Sequence, residues 1–332
     1  SEKAHIYAFS AGGKRPSLLR FTPKINDIDN LMLVCERCHK LIDSEDTDYT
    51  AEQLLKMKKE HEQRIANVAT IKPDLQSEIV IFNANIANRA IKISDYAAKS
   101  AIIPEHYPTR ENPINLSPDL SIFDNEENYW LTIATHLERQ WLQYEPTIRD
   151  KHISLFAVAP QPLLFKLGNL INRNYNVEVR QSQGCIDNWN WCCDKQTAKI
   201  ETQIVEAEDA LQEPIITFEL TAKLSIDELR KEFGKGTIYR ITTESCSSEI
   251  IKSWQDLQVA INEYRNNLNA IREKYNNDVN VRIVPIAPVS VSIEAGSKTT
   301  KGDPQITIYD RNYITKDWSA ALTLNGKEYN HV

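Results

Sequence analysis

The sequence predicts an α/β protein, and two stretches carry most of the evidence. Residues 153–159 are apolar almost throughout, which is typical of a strand buried on both faces, and a proline and a helical pattern follow. A second apolar strand and turn begins at residue 279, in VNVRIVPIAPVSVSIEAG. A buried strand that runs into a helix through a tight turn is the opening unit of a parallel α/β sheet.

The two stretches share a motif. Ala159-Pro160 is followed by Gly168, and Ala287-Pro288 is followed by a glycine at the same spacing, 128 residues later. This match predicts an internal duplication of a Rossmann-like unit. Ligands of open α/β sheets bind beyond the carboxyl ends of the strands. A duplicated unit would therefore turn two such ends towards one cleft, which suits a ligand with pseudo-twofold shape.

Composition limits the classes of function. The net charge is −7, and residues 1–70 carry equal numbers of acidic and basic side chains, so the excess acidity lies in 71–332. This disfavours a uniformly basic nucleic-acid binder. The sequence has no apolar run of about 18 residues, so we expect no membrane span. The six cysteines show no spacing typical of secreted proteins, which favours a reducing, cytoplasmic setting.

The remaining pattern divides the chain into three parts. We predict a small domain over residues 1–70, a linker with connecting elements over 71–125, and a larger domain over 126–332. Helical periodicity is predicted at 48–68, 126–144 and 253–275. Thr50 and Gln53 have the spacing of a capping box at the start of the first of these helices.

The small domain contains a group of residues that could bind metal. Cys35 and Cys38 form a Cys-x-x-Cys pair, His39 follows directly, and Asp43 lies one helical turn after His39. Together with His5 and Asn30, this pattern over residues 3–66 resembles the HNH nucleases, whose ββα-metal fold packs a hairpin on a helix.

The resemblance implies a role for each residue. Cleavage of a phosphodiester needs a base that activates water and a cation that stabilises the developing charge. His5 would be the base, and Asn30 would orient the loop or His5. His39 would bind the catalytic divalent metal, Mg²⁺ or similar, together with Asp43. Ala4 stands where many HNH nucleases carry a further metal ligand, so the first ligand is not identified.

Cys35 and Cys38 would be ligands of a structural Zn²⁺ rather than catalytic residues. They supply half of a four-ligand site, and the second cysteine pair of the family would lie before residue 1. We therefore expect that this sequence begins inside its nuclease domain.

The C-terminal part of the sequence resembles the SAVED domain of bacterial CBASS antiphage effectors, which consists of two fused CARF-like Rossmann units. The stretches ISLFAVAPQPLLFKLGNLI, WNWCCD, VRIVPIAPVSVSIEAG and PQITIYDRN occur in the expected order over about residues 125–332. The resemblance implies that a cyclic di- or trinucleotide binds this domain and drives homo-oligomerisation. The nuclease domains would then degrade double-stranded DNA with little sequence preference.

The strand-end turns and nearby cationic and aromatic side chains are the predicted ligand contacts. Cationic groups would pair with phosphate, and aromatic rings would stack on bases. Cys185, Cys192 and Cys193 lack zinc spacing, and we predict that they are buried thiols. The predicted ligand-binding residues are Pro160, Gln161, Pro162, Arg180, Trp189, Trp191, Pro288, Val289, Ser290, Lys298, Lys301 and Tyr309.

Three other functions remain open. The chain could be a cyclic-nucleotide sensor whose nuclease domain is inactive, because Ala4 weakens the metal site. It could degrade the cyclic nucleotide, although no acid–base pair marks the cleft. It could also be a restriction-type HNH nuclease that needs no small molecule, which the acidity of residues 71–332 disfavours.

Overall fold

The computed structural model describes residues 2–10, 12–44, 49–69, 73–86, 91–118, 128–172, 174–183, 188–192, 195–209 and 212–326. The chain divides into two compact units, Ser1–Pro73 and Asp74–Val332. Within the described part of the chain, no helix has both the length and the apolar character needed to cross a bilayer.

The first unit is a two-stranded hairpin packed against helices. Strand β1 pairs antiparallel with β2, and Glu2 lies opposite Val34. Because side chains alternate along a strand, Ala4 and Ile6 point to one side, where they are buried with residues of both helices. The elements are β1 (Glu2–His5), β2 (Leu31–Val34), α1 (Glu36–Asp43) and α2 (Ala51–Ala69), with short 3-10 turns at Leu18–Phe21, Pro23–Asn26 and Ile28–Asn30.

The predicted capping box of α2 is confirmed. The Gln53 backbone N–H donates to the Thr50 hydroxyl at 3.2 Å, and the Thr50 N–H donates to the Gln53 side chain at 2.9 Å. Two N–H groups that the helix itself leaves unpaired are thereby satisfied.

The first half of the second unit is a parallel sheet with strand order β4-β3-β6-β7, and β5 also pairs with β3. Every pair in this sheet is parallel. Its elements are β3 (Gln76–Asn83), α3 (Asp95–Ala101), β4 (Tyr107–Pro108), β5 (Ile114–Asn115), α4 (Tyr129–Ile148), β6 (His152–Val158), α5 (Gln161–Ile171) and β7 (Asn176–Val179).

The second half has strand order β13-β12-β11-β9-β10-β8. Its four inner strands are parallel, while the edge strands β8 and β13 are antiparallel to their neighbours. Its elements are β8 (Ile200–Val205), β9 (Ile215–Glu219), α6 (Ile226–Phe233), β10 (Ile238–Thr243), α7 (Trp254–Tyr275), β11 (Asn280–Ile286), α8 (Val289–Lys298), β12 (Gln305–Arg311) and β13 (Trp318–Leu324).

The predicted internal duplication is confirmed by the strand order. The series β4-β3-β6-β7 of the first half is repeated as β10-β9-β11-β12 in the second. In each half, the third strand leads through an Ala-Pro turn into a helix and then into the fourth strand. The predicted strands at 153–159 and from 279 onward are β6 and β11, and the helices that follow them are α5 and α8.

The glycines of the repeated motif lie where α5 and α8 cross. A Cβ on Gly168 would stand 1.8 Å from the Ile293 carbonyl oxygen, and one on Gly296 would stand 2.1 Å from that of Phe165. Only a residue without a side chain permits such close backbones. Phe165 of α5 packs in the core of the second half, and Ile293 of α8 packs in that of the first. The crossing therefore joins the two halves.

The interval 71–125, predicted as linker and connecting elements, contributes to the core of the second unit. Seven of the eight residues of β3 are buried, and the strand pairs with β6 from Ser77 to Asn83. The four prolines of residues 102–124 suggested an extended connection because proline disfavours regular elements. The apolar run IVIF at residues 79–82 nevertheless carries the signal of a buried strand.

Candidate functional site

The two repeated turns meet at one end of the second unit. Pro160 and Pro288 are the N-cap residues of α5 and α8. The Gln161 side-chain amide donates to the Ala287 carbonyl oxygen at 2.9 Å, and its oxygen accepts a hydrogen bond from the Ser292 hydroxyl. A side chain of one half thus holds the turn of the other, as the predicted shared cleft requires.

A second contact supports the same junction. The backbone N–H of Ser290, in the first turn of α8, donates to the Gln181 side-chain oxygen at 3.1 Å. The Ser290 hydroxyl is buried and lacks a hydrogen-bond partner within the described structure. Pro162 is buried, and Val289 packs on the core of the first half. The Pro162 side chain therefore supports its turn rather than faces a ligand, whereas Val289 is only half-buried.

A cavity of about 280 Å³ adjoins the turns. It lies beyond the carboxyl ends of the parallel strands β9, β11 and β12, where open α/β sheets bind ligands. Gln161, which belongs to the first half, forms part of the cavity wall. The lining residues are Gln161, Thr221, Pro285, Ile286, Ala287, Tyr309, Asp310, Arg311 and Trp318.

The cavity combines charge and aromatic surface. Burial raises the pKa of the Asp310 carboxyl to about 6. Arg311 forms an ion pair of 2.6 Å with Glu228 and stands 5.5 Å from the ring centre of Trp318. The Tyr309 ring packs edge-on against Phe233. A guanidinium, a carboxyl group and aromatic rings are the groups that recognise phosphates and bases.

Arg180 is not free to pair with a ligand phosphate at these turns. Its side chain is 2% exposed and its guanidinium pairs with Glu178 at 2.7 Å and with Glu105 at 3.3 Å. Because side chains alternate along an extended segment, Arg180 points away from the side of Gln181, which reaches Ser290. The ion pairs thus give Arg180 a structural role.

Of the two tryptophans predicted to stack on a base, Trp189 lies in the interior and Trp191 is half-buried. Trp189 is 1% exposed and packs edge-on against Phe156, at 5.3 Å between ring centres. Trp191 is partly buried against the core of the second half. The Trp189 ring is more stable in this core than in water, so it presents no face to a ligand in this conformation. Cys192, predicted as a buried thiol, is exposed, and Cys185 and Cys193 lie outside the described residues.

The predicted lysines lie at the wrong end of α8. Lys298 is the last residue of a ten-residue helix that begins next to Pro288, and its ammonium group lies 3.6 Å from Glu294. Ten residues of helix span roughly 15 Å. Lys301 is exposed in the turn that follows. Of the predicted ligand contacts, Gln161 and Tyr309 are the two that line the cavity.

Asp310, Arg311, Thr221 and Trp318 line the cavity but were missed. The sequence did indicate that Asp310 and Arg311 lie near a ligand site, because they directly follow the apolar stretch QITIY at the carboxyl end of a strand. Trp318 starts an antiparallel edge strand, and its position opposite Arg311 depends on the pairing of β12 with β13.

In the first unit, His39 and Asp43 lie together on α1. The distance from His39 Nε2 to Asp43 Oδ2 is 3.6 Å, which lets both atoms reach one cation. His39 Nδ1 lies 2.7 Å from a Glu2 carboxylate oxygen. A carboxylate on one ring nitrogen orients the other nitrogen towards a metal, so Glu2 fits the role of a supporting group. The sequence pattern did not indicate Glu2.

Arg15 limits the metal site. Its guanidinium pairs with the Asp43 carboxylate at 2.6 Å and donates to the carbonyl oxygens of Ile6 and Ile42. A cation that binds Asp43 would therefore share that carboxylate with a guanidinium. Ala4 is buried in the core of the unit and offers no ligand atom.

The contacts of His5 involve other residues of the unit. Its Nε2 atom is 3.1 Å from the Asn26 side-chain oxygen, and its ring packs near Phe9. Asn30 is buried, accepts from the Tyr7 N–H at 2.8 Å, and donates to the carbonyl oxygens of Tyr7 and Ile25. Asn30 thus fixes the backbone just after His5 rather than the imidazole itself.

The two cysteines begin α1. Cys35 is its N-cap residue, and its sulfur accepts the Cys38 backbone N–H at 3.4 Å. This hydrogen bond lowers the pKa of the Cys35 thiol. Both thiols are exposed and neighbouring, an arrangement that fits half of a zinc site.

Comparison with known proteins identifies the class of the second unit. Residues 137–324 match the SAVED family, described as "SMODS-associated and fused to various effectors sensor domain". The match covers more than half of the chain, and the chain belongs to this family. The matched residues include β6, α5 and β7 of the first half and all the elements of the second half. No curated protein sequence matches the chain.

Several solved structures are similar to the chain. The Acinetobacter baumannii Cap4 SAVED/CARF-domain containing receptor with the cyclic trinucleotide 2'3'3'-cAAA is 12% identical, with a TM-score of 0.48, over 83% of this chain and 56% of that chain. The same receptor with 3'3'3'-cAAA is 13% identical, with a TM-score of 0.49, over 85% and 64%. The Moraxella osloensis Cap4 receptor is 12% identical, with a TM-score of 0.47, over 86% and 63%. The chain spans less than two thirds of the length of each.

Proposed function

We propose that the second unit binds a cyclic di- or trinucleotide and that this binding activates a metal-dependent DNA endonuclease in the first unit. The observation that carries the proposal is the contact of Gln161 with the Ala287 carbonyl, beside a cavity at the strand ends of a sensor domain. A ring of repeated nucleotides suits a site built from two repeated turns. The setting would be bacterial CBASS antiphage defence.

The cavity offers a distinct partner for each part of such a ligand. Arg311 is suited to a phosphate, and it would exchange its ion pair with Glu228 for one with the ligand. Trp318 and Tyr309 offer rings for a base. Asp310, whose pKa is about 6, can accept or donate a hydrogen bond at a base edge near neutral pH.

A ligand screen tests the sensor function. The whole chain is incubated with cyclic di- and trinucleotides, and binding is followed by calorimetry and mass in solution by light scattering. We expect one ligand class to bind and to increase the mass through homo-oligomerisation. Gln161→Ala should weaken binding at least tenfold, whereas Gln203→Ala, on an exposed edge of β8, should not. Unchanged binding in both variants, or no binding by any ligand, would contradict the proposal.

For the first unit we propose hydrolysis of phosphodiester bonds in double-stranded DNA. His5 would act as general base, while His39 and Asp43 would hold a divalent cation such as Mg²⁺. When bound, the cation would stabilise charge on the phosphate and the leaving oxygen. Cys35 and Cys38 would hold a structural Zn²⁺. The support lies in the carboxylate–histidine contact of Glu2 and in the His39–Asp43 spacing.

Activity of the ligand-bound chain tests the nuclease. DNA cleavage should require a divalent metal, and His5→Ala should reduce it by about 100-fold or more. His61→Ala is the matched control, because His61 is exposed on α2 and takes no part in the proposal. Ligand binding must be retained in both variants. Cleavage that survives the loss of His5 would contradict the role of this base.

A second candidate is a sensor with an inactive nuclease. It is favoured by the contact of Arg15 with Asp43, which occupies a proposed metal ligand, and by the burial of Ala4. Full ligand binding and oligomerisation without metal-dependent cleavage would select this function. Cleavage without any small molecule would instead select a restriction-type nuclease.

A further inference from the structure

A polar cluster lies on one face of the sheet in the first half of the second unit, away from the paired turns. We call it the His106 cluster, and its members are His106, His152 and Glu178. His152 is the first residue of β6, whereas Pro160 follows the end of that strand. Eight residues of strand separate the two by roughly 25 Å, so the cluster is distinct from the ligand cavity.

Donor atoms converge in this cluster. One nitrogen of each histidine and one oxygen of Glu178 all lie within 4.8 Å of one another. The imidazole rings are stacked, with centres 3.9 Å apart and planes within 5°. His152 Nε2 lies 4.0 Å from a Glu178 carboxylate oxygen, which is too far for a hydrogen bond. His106 Nδ1 is buried and has no hydrogen-bond partner in the described structure.

The surroundings orient one of these rings. The Ser77 hydroxyl lies 2.9 Å from His152 Nδ1, and Ser154 lies 2.9 Å from the Ser77 hydroxyl. When His152 Nδ1 carries the proton and donates it to the Ser77 hydroxyl, the lone pair of Nε2 faces Glu178. Histidines that bind metals show this arrangement, in which an outer group holds the second ring nitrogen.

The charges around the cluster favour a cation. Glu178 and Glu105 each carry a negative charge, and Arg180 between them carries one positive charge. With both imidazoles neutral, the group has a net charge of −1. The Glu178 side chain is 24% exposed and that of His152 is 16% exposed. An ion can therefore enter, yet the site is sheltered from bulk water.

We propose that His106, His152 and Glu178 form a binding site for a divalent transition-metal ion. Two imidazoles and one carboxylate are the donor set of three-ligand zinc sites, which keep a fourth position for water. Coordination would require the two rings to tilt out of their stack so that both lone pairs point at the ion. The ion would then join β6, β7 and the segment before β4.

Cobalt binding tests the proposal, because Co²⁺ substitutes for Zn²⁺ and its spectrum reports its ligands. The whole chain is stripped of metal with a chelator and titrated with Co²⁺. A histidine–carboxylate site gives visible d–d bands without the near-ultraviolet charge-transfer band of thiolate ligands. We expect His152→Gln and Glu178→Gln each to bind one equivalent fewer of such cobalt than the unmodified chain, since the site proposed at His39 and Asp43 would remain. Ser77→Ala should weaken it about 10- to 100-fold, as loss of an outer-shell contact does.

Two controls separate this site from others. Cys35→Ser with Cys38→Ser removes thiolate-bound cobalt and should leave the new site intact. His136→Gln removes a partly buried histidine of the same domain that lies outside the cluster. This variant should bind cobalt as the unmodified chain does. Circular dichroism of each metal-free variant verifies folding. Equal stoichiometry and affinity in the unmodified chain, His152→Gln and Glu178→Gln would overturn the proposal.

Discussion

The two halves of the second unit have the same strand order but bury their polar groups differently. Where α5 and α8 cross, the halves are matched, with an Ala-Pro turn and a glycine at the same spacing. Away from the crossing they diverge. The first half has the His106 cluster and strands β4 and β5 of only two residues, while the second has the full strand β10.

One buried glutamate in each half illustrates this difference in polar burial. Glu78 on β3 and Glu219 on β9 are both fully buried on corresponding strands. Glu78 pairs with Arg110 and Lys151, whose side chains are 37% and 43% exposed. Glu219 pairs with Arg240, which is 14% exposed. Identical motifs are needed where the halves must fit each other, and different local solutions suffice where each half packs only on itself.

The largest expected effect is at the crossing. Gly168→Ala should lower the free energy of unfolding by about 5 kcal/mol or more, because its Cβ would overlap the Ile293 carbonyl of α8. This loss would outweigh the gain of about 1 kcal/mol in helix propensity. Urea unfolding provides the measurement. Gly302→Ala is the control, since its Cβ would meet no atom closer than 3.8 Å. Equal stability of the two variants would mean that the helices do not cross this closely.

The second prediction compares the buried glutamates. Arg240→Met should cost about 3–5 kcal/mol of unfolding free energy, since it leaves Glu219 buried without its cationic partner. Arg110→Met should cost about 2 kcal/mol, because Lys151 still lies 2.7 Å from Glu78. Urea unfolding of both variants at neutral pH measures the difference. Equal costs would show that the second cation of the first half contributes nothing.

A smaller effect should appear as a pH dependence that belongs to the second half. Burial raises the pKa of Asp310 from 3.8 to about 6. Between these values the unfolded chain ionises first, so ionisation favours unfolding and stability falls as pH rises from about 4 to 6. Asp310→Asn should therefore be more stable than the unmodified chain above pH 6, and the advantage should vanish below pH 4. Thermal unfolding across this range measures it.

The exposed Asp317→Asn serves as the control for this pH series. Its stability should run parallel to that of the unmodified chain at every pH. A constant difference between Asp310→Asn and the unmodified chain from pH 4 to 8 would contradict the buried, raised-pKa state of the Asp310 carboxyl.

The smallest effect concerns the helices α4 and α7, which hold corresponding places in the two halves. Ser253 caps α7 and forms a capping box with Asp256, whereas Asn128 at the start of α4 makes no side-chain cap bond. Ser253→Ala should cost about 1–2 kcal/mol, and Asn128→Ala should have almost no effect. Denaturant midpoints compare them. A comparable loss in both would remove this difference between the halves.

Much of the second unit was predictable because its signals are local. A continuous apolar run predicts strand β6, and helical periodicity predicts α7. A repeated motif of ten residues predicts the duplication. The strand β3 was missed although its apolar run IVIF is the same kind of signal as that of β6. Its place depends on pairing with β6, more than 70 residues later.

The site was less predictable than the fold. Gln161 and Tyr309 were found because they border strand ends, and strand ends of a parallel sheet converge. Asp310 and Arg311 could have been found by the same reasoning. The assignment of Trp189 failed because the sequence around an aromatic loop residue does not show whether its ring faces solvent or the core. The Trp189 ring packs in the core beside Phe156.

The sequence by itself determined the repeated strand–turn–helix units, the capping box of α2 and the glycines of the crossing, because each depends on residues close in the chain. Only the tertiary structure decided which charged groups are available. Arg180 is paired with Glu105, which lies 75 residues away, and Asp43 is paired with Arg15 across the first unit. Pairing of charges depends on distance in space, and the fold alone sets that distance.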